Sequence, residues 1–271
     1  MRHGGQARPQ HESKELPIWS ELLAGVELGF LWVSPVYLGY GIPRGDGSGV
    51  VLVPGFLASD RSLKALYSWL KRIGYRSYYS GISINAECPN LLIGQHLRAV
   101  IEKAYEATNR RVHVIGHSLG GAMARAVAAQ MPERIASVIT LASPIRSVAA
   151  HSTVLRMADV VREQILNRHG AAVLPNCYTT QCTCNFLASV MQKIPKSVRQ
   201  TAIYSKCDGI MDWRACQTGD PRVDVEVSST HVGLVVNPLV YQVLAERLAA
   251  SRPAKGRGQH QIRRVSQGVV C

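Results

Sequence analysis

The stretch Val112-His113-Val114-Ile115-Gly116-His117-Ser118-Leu119-Gly120-Gly121 decides how the rest of this chain is read. A β-branched run breaks off at Gly116-His117-Ser118-Leu119-Gly120, an instance of G-x-S-x-G. A small-residue helical pattern follows at once, with Gly121, Ala122, Ala124, Ala126, Ala128 and Ala129. A serine on a tight strand-to-helix turn sits in strained backbone, and only residues without bulk can flank it as closely as Gly116 and Gly120 do. Such a turn pushes the Ser118 hydroxyl toward solvent. It also aims the first amides of the helix at any negative charge that develops beside it. Strand before and helix after are what make the five-residue pattern informative, and Ser118 reads as a nucleophile.

Working outward, the same alternation recurs. Val50–Val53 reads as a strand closed by Pro54-Gly55-Phe56, and Ser62–Ile73 as a helix ending at Gly74. Tyr75–Tyr79 is a short strand, and Leu91–Thr108 a long amphipathic helix presenting Leu92, His96, Val100 and Tyr105 on one face. Arg111–Ile115 leads into Ser118, Leu119–Met131 is the helix after it, and Ile135–Leu141 is an apolar strand. Strands alternating with helices at this period predict an α/β fold, with a mostly parallel central sheet and helices on both faces. The rhythm breaks over residues 145–198, then resumes with strands at Thr201–Ser205 and Val223–Val227 and a closing helix at Pro238–Leu248. The interruption reads as a helical cap inserted over the site. The predicted division is an N-terminal segment 1–43, an α/β domain 44–250 and a tail 251–271. That tail carries Arg252, Lys255, Arg257, Arg263 and Arg264 with no acid, a composition expected to be disordered.

A serine hydroxyl needs a base, and the base needs an orienting acid. Asp208 stands just past the Thr201–Ser205 strand, followed by Gly209, which allows a sharp turn. His231 lies in Ser-Thr-His-Val-Gly-Leu, after the last strand and before the last helix. Each falls at the carboxyl end of its strand, where open α/β sheets bind ligands. Asp212 and Asp224 are the runners-up for the acid. His117, the variable residue of the serine motif, points away from a shared role. Acyl transfer also calls for two preorganised donors facing the developing oxyanion. The amides of Leu119, just after the nucleophile, and Phe56, in the loop after the first strand, are the candidates.

Composition bounds the alternatives. Forty-six per cent hydrophobic residues are ample for a sizeable core in a 271-residue chain. The net charge of +13 is not interleaved with aromatics, so no nucleic-acid partner is expected. Cys177-x4-Cys182-x-Cys184 lacks the paired spacing of zinc modules, and neither metal nor cofactor is expected. Residues 1–15 are polar and mixed in charge, with no signal-peptide core, which places the expectation in the cytoplasm. Leu22 to Gly41 is the most apolar stretch. Glu27 and Pro35 interrupt it, so it reads as a helix and turn packed on the domain, with peripheral membrane contact left open.

Val-Leu-Val-Pro-Gly-Phe, Val-Ile-Gly-His-Ser-Leu-Gly-Gly, Tyr-Ser-Lys-Cys-Asp-Gly-Ile and Thr-His-Val-Gly-Leu, in that order, resemble the α/β-hydrolase superfamily. The likeness is to bacterial lipases and carboxylesterases of the triacylglycerol-lipase type, over about residues 44–250. It implies a Ser118–His231–Asp208 triad, in the chain order nucleophile, acid, histidine. It also implies an oxyanion hole from the Phe56 and Leu119 amides, and hydrolysis of small-molecule or lipid esters through an acyl-enzyme without a cofactor. The same residues would serve an acyltransferase or a polyester or thioester hydrolase, and the fold alone could serve as a binding module. Two departures stand out. Pro54-Gly55 replaces the usual His-Gly of the oxyanion loop, and Ile145 stands where many such lipases have a histidine. An apolar acyl group is expected to rest under residues 145–198, against Val154, Leu155, Val160, Val161, Ile165 and Leu166.

Overall fold

The computed structural model describes residues 18–251 except 148, 178 and 180, so most of the basic tail and the first 17 residues lie outside it. A 3-10 turn at Ile18–Leu23 leads into α1 (Ala24–Val33) and α2 (Pro35–Leu38). Then come β1 (Gly49–Val53), α3 (Lys64–Arg72), β2 (Arg76–Tyr79), α4 (Pro89–Leu92) and α5 (Arg98–Thr108). They are followed by β3 (Val112–His117), α6 (Leu119–Gln130) and β4 (Ile135–Leu141). The chain continues through α7 (Ser152–His169), α8 (Asn185–Met191), β5 (Arg199–Tyr204), β6 (Asp224–Glu226) and α9 (Pro238–Ala250).

The six strands form one sheet in the order β2-β1-β3-β4-β5-β6, and every pairing is parallel. Burial on both faces explains why the strands read as apolar runs. Val50, Leu52 and Ile115 join α3, α9 and Leu31 of α1 on one side of the sheet. Val51, Val53, Val112 and Val114 join α5, α6 and α8 on the other. The alternation along β1 and β3 is the two-residue period of a strand, with each face covered by its own helices. The chain leaves β1 toward β2 on one flank and later returns to β3 on the other. The crevice outside the carboxyl ends of β1 and β3 is therefore the topological switch point, where such sheets bind ligands.

Two local features differ from the sequence reading, and one, the N-terminal segment, adds detail to it. The helix expected over 91–108 carries a π-turn at Ile93–Leu97, which shifts its register. Ile93, Leu97, Ile101 and Ala104 are buried, while His96 faces outward. The N-terminal segment is tied down by the Trp69 indole, which donates to the Val36 carbonyl (2.9 Å), and by Leu31, which has no exposed surface. Its outer side is another matter: Trp19, Leu22, Phe30, Trp32 and Val33 are all more than half exposed. Third, β6 is only three residues long, Asp224–Glu226, against the strand expected over 223–227.

Candidate active site

The turn after β3 is built as its glycines require. Ser118 has φ +52° and ψ −125°, a region costing a side chain roughly 1–3 kcal/mol, and it caps α6. A β-carbon on Gly116 would run into the Gly120 carbonyl, and one on Gly120 into the carbonyls of Val53 and Pro54. One on Gly121 would strike Ser143. The turn is thus wedged between β1 and the loop after β4. The Ser118 amide donates to the Leu141 carbonyl (2.8 Å), which fixes the serine to the neighbouring strand.

Ser118, Phe56 and Leu119 border one cavity of about 400 Å³ at the carboxyl end of the sheet. The 145–198 segment lines its far side through Val154, Leu155, Phe186 and Leu187. Val161 and Ile165 instead form the buried side of α7, against Cys88, Val173 and Cys177, and Val160 is exposed. Leu119 is the first residue of α6, so its amide has no acceptor within the helix. Phe56 follows β1 in a loop braced from below. The Asn85 side chain, fully buried, donates to the Pro54 carbonyl (2.8 Å), and the Asn85 backbone carbonyl accepts from the Leu57 amide (2.9 Å). Leu57 has φ +59°, so the loop turns back sharply directly after Phe56. Asn85 carries no motif signal in the sequence.

Asp208 and His231 meet across the ends of β5 and β6. His231 Nδ1 lies 2.7 Å from Asp208 Oδ2, and both side chains are nearly inaccessible to solvent. A carboxylate can only accept, so in the neutral imidazole the proton sits on Nδ1 and the lone pair on Nε2. The other carboxylate oxygen accepts the amides of Ile210 (2.8 Å) and Met211 (2.7 Å), which locks the Asp208 rotamer. The runners-up are engaged elsewhere. Asp212 caps the turn at Trp213–Cys216, and Asp224 accepts from Thr218 and Gly219.

His117 corrects the sequence reading. It is not turned away from the other groups: its ring lies 4.7 Å from that of His231, and its Nε2 donates to the His231 carbonyl (3.0 Å). Burial, then the proximity of His231, pushes its pKa down to about 3, so it is neutral at ordinary pH. Ser118 and His231 share no hydrogen bond among those of the described residues, and the His117 side chain ties the end of β3 to the His231 backbone. The signal that could have found it is its position: a residue next to the serine, at the end of a buried strand, can only point into the molecule.

The cysteines are mostly thiols: among the described residues Cys88, Cys177, Cys182, Cys184 and Cys216 are free. Cys177, Cys182 and Cys184 border the cavity. Ile145, the departure noted in the sequence, is buried, and its amide donates to the Ala215 carbonyl (3.0 Å). No helix among the described residues is long and apolar enough to cross a membrane.

Residues 50–169 match the family model described as the alpha/beta hydrolase fold. A 106-residue stretch is 33% identical to triacylglycerol lipases of Pseudarthrobacter phenanthrenivorans and Burkholderia plantarii. It covers 36% of this chain and 33% and 29% of those proteins, so the match spans about a third of their length. A solved structure from a study of two metagenome-derived lipolytic enzymes superposes with a TM-score of 0.51 at 17% identity. That superposition covers 78% of this chain and 95% of the other. With its parallel sheet and its serine on a glycine-flanked strand-to-helix turn, the chain has the α/β-hydrolase fold and, over 106 residues, is similar to triacylglycerol lipases.

Proposed function

We propose that the protein is a serine hydrolase of carboxylic esters with apolar acyl groups. The observation that carries this reading is the convergence at one sheet end of Ser118, in left-handed backbone beside an apolar cavity, with a buried Asp208–His231 pair at 2.7 Å. Ser118 Oγ attacks the ester carbonyl while His231 Nε2 takes its proton, and Asp208 stabilises the imidazolium that forms. The carbonyl oxygen becomes an oxyanion held by the Phe56 and Leu119 amides, and the alcohol departs with the proton from His231. Water, deprotonated by the same imidazole, then releases the acid and restores Ser118. The contact between Ser118 and His231 tightens when substrate enters, as hydrogen bonds of an empty site commonly do. Residues 145–198 act as the cap over the acyl chain, and Pro54-Gly55 gives the oxyanion loop its tight entry without a histidine.

Lipid esters are the natural substrate class for such a cavity. The outward-facing Trp19, Leu22, Phe30, Trp32 and Val33 would let the N-terminal segment rest on a lipid surface. The deciding experiment is labelling with a fluorophosphonate alongside a p-nitrophenyl ester chain-length series. Stoichiometric modification lost in Ser118→Ala, together with ester turnover by the parent protein, is expected. An unlabelled, inactive parent protein overturns the reading and points to a binding module.

A further inference from the structure

The proposed reaction uses residues from Phe56 onward, yet two carboxylates of the N-terminal segment, Glu21 and Glu27, reach the loops that carry its acid and its base. Glu21 Oε1 accepts the backbone amides of Gly209 (3.0 Å) and His231 (3.0 Å), and Oε2 accepts that of Val232 (2.8 Å). Gly209 directly follows Asp208, so one carboxylate grips the backbone beside the acid and at the base at the same time. Glu27, six residues on, continues the grip. It accepts from the Thr230 amide (2.9 Å) and hydroxyl (3.2 Å), the Ser229 hydroxyl (2.5 Å) and the Asn237 side chain (2.8 Å). The segment that looks outward with tryptophan and phenylalanine thus looks inward with its two acids.

This arrangement answers a specific need. Asp208 and His231 sit on separate loops after β5 and β6, and β6 is three residues long. So short a ladder fixes little of the loop beyond it. Two exchanges within the loops help: the Ser205 hydroxyl donates to the Ser229 carbonyl (2.6 Å) and accepts the Ser229 amide (3.1 Å). Those lie before the base, on the strand side. Beyond it, Glu21 is the group that takes the amides of His231 and Val232, and it ties them to the amide beside Asp208. Charge-assisted hydrogen bonds from amides to a carboxylate are among the stronger and better-aimed ones available.

Resting on the triad reading above, we infer that Glu21 is a positioning residue: it sets the registry of the Asp208 and His231 loops and thereby holds the imidazole where it can serve Ser118. Displacement of a catalytic group by about 1 Å can lower turnover by about 100-fold. Glu21→Ala removes all three acceptors. It is expected to lower kcat per active site by about 10- to 100-fold, with KM for a short p-nitrophenyl ester changed less than about twofold, since the apolar cavity is untouched. Glu21→Gln keeps the oxygen that faces Gly209 and His231 but turns its carboxamide NH2, a donor, toward the Val232 N–H, so a smaller loss of the same kind is expected.

The experiment titrates active sites with a fluorophosphonate and measures kcat and KM per labelled site for the parent protein, both variants and Glu102→Ala, a surface carboxylate paired with Arg134. The downfield proton resonance of His231 Nδ1 in the unliganded protein is recorded beside it, and is expected to broaden or shift in the Glu21 variants only. A merely structural role would lower the fraction of titratable sites or the melting temperature and leave kcat per site alone. Unchanged kcat per site and an unchanged resonance in the Glu21 variants, with a parent protein that labels at Ser118, overturn this inference and spare the triad. A parent protein that neither labels nor turns over esters overturns both. Should Glu21→Ala fail to fold, Glu21→Gln carries the same test with the same two outcomes.

Discussion

His117 makes the stability of the fold depend on acid in a way that can be measured without any substrate. Its folded-state pKa of about 3 lies below the ordinary 6.5 because burial penalises the imidazolium and His231 lies alongside. The unfolded chain therefore binds one more proton than the folded one through the window between those values. Stability is fully present above pH 6.5 and is lost as the pH falls. For values of 3 and 6.5, this residue removes about 2 kcal/mol between pH 7 and pH 5 and about 3 kcal/mol by pH 4. His117→Gln keeps a donor for the His231 carbonyl and cannot take up the proton. Urea unfolding of both proteins at pH 7, 5 and 4 separates this residue from every other titrating group, because the difference between them cancels the shared terms. The parent protein should lose about 2 kcal/mol more than the variant between pH 7 and pH 5. Equal losses would refute the argument and mean that the His117 site admits water or a counter-charge on protonation.

Other tests address the remaining parts of the site. Gly120→Ala places a methyl against the Val53 and Pro54 carbonyls, backbone atoms that cannot step aside, and should cost about 1–3 kcal/mol or more in a thermal melt. Asp208→Asn should leave the melt nearly unchanged at neutral pH and reduce kcat by about 10³- to 10⁴-fold, because the imidazole loses the partner that fixes its tautomer. Asn85→Leu strips the Pro54 carbonyl of its buried donor. A loss of about 1–3 kcal/mol is expected, with a fall in kcat larger than any change in KM as the Phe56 amide drifts. Flotation with phosphatidylcholine vesicles, with and without phosphatidylglycerol, should recover the parent protein and lose a Phe30→Ser/Trp32→Ser variant; equal recovery would argue against the lipid-surface contact.

Much of the fold was legible because its residues obey local rules. β1 and β3 are buried on both faces and mostly apolar, a parallel sheet under two layers of helices produces that pattern, and the expected strand-end placement of Ser118, Asp208 and His231 followed from it. The glycines around Ser118 were legible for the same reason: each stands where a β-carbon has no room. What escaped were contacts with no periodicity. The π-turn at Ile93–Leu97 rotates a helix face by an amount the 3.6-residue pattern does not record. Asn85 braces the loop after β1 from 31 residues away, and nothing next to it marks it. Glu27 read as an interruption in an apolar helix. In the fold it turns inward to hydroxyls and amides more than 200 residues distant, which a linear reading cannot pair.

Glu21 also bears on the order in which the molecule matures. Its hydrogen bonds close loops of 188 to 211 residues, the kind of contact whose entropy is recovered only after nearer pairings exist. The elbow at Ser118 draws on β1, β3 and the loop after β4, all of which leave the ribosome well before residue 232. The proposed nucleophile can thus be shaped while its proposed proton acceptor is still unanchored. During refolding, reactivity toward esters should trail the recovery of fluorescence, and the lag should lengthen when the early carboxylate is removed.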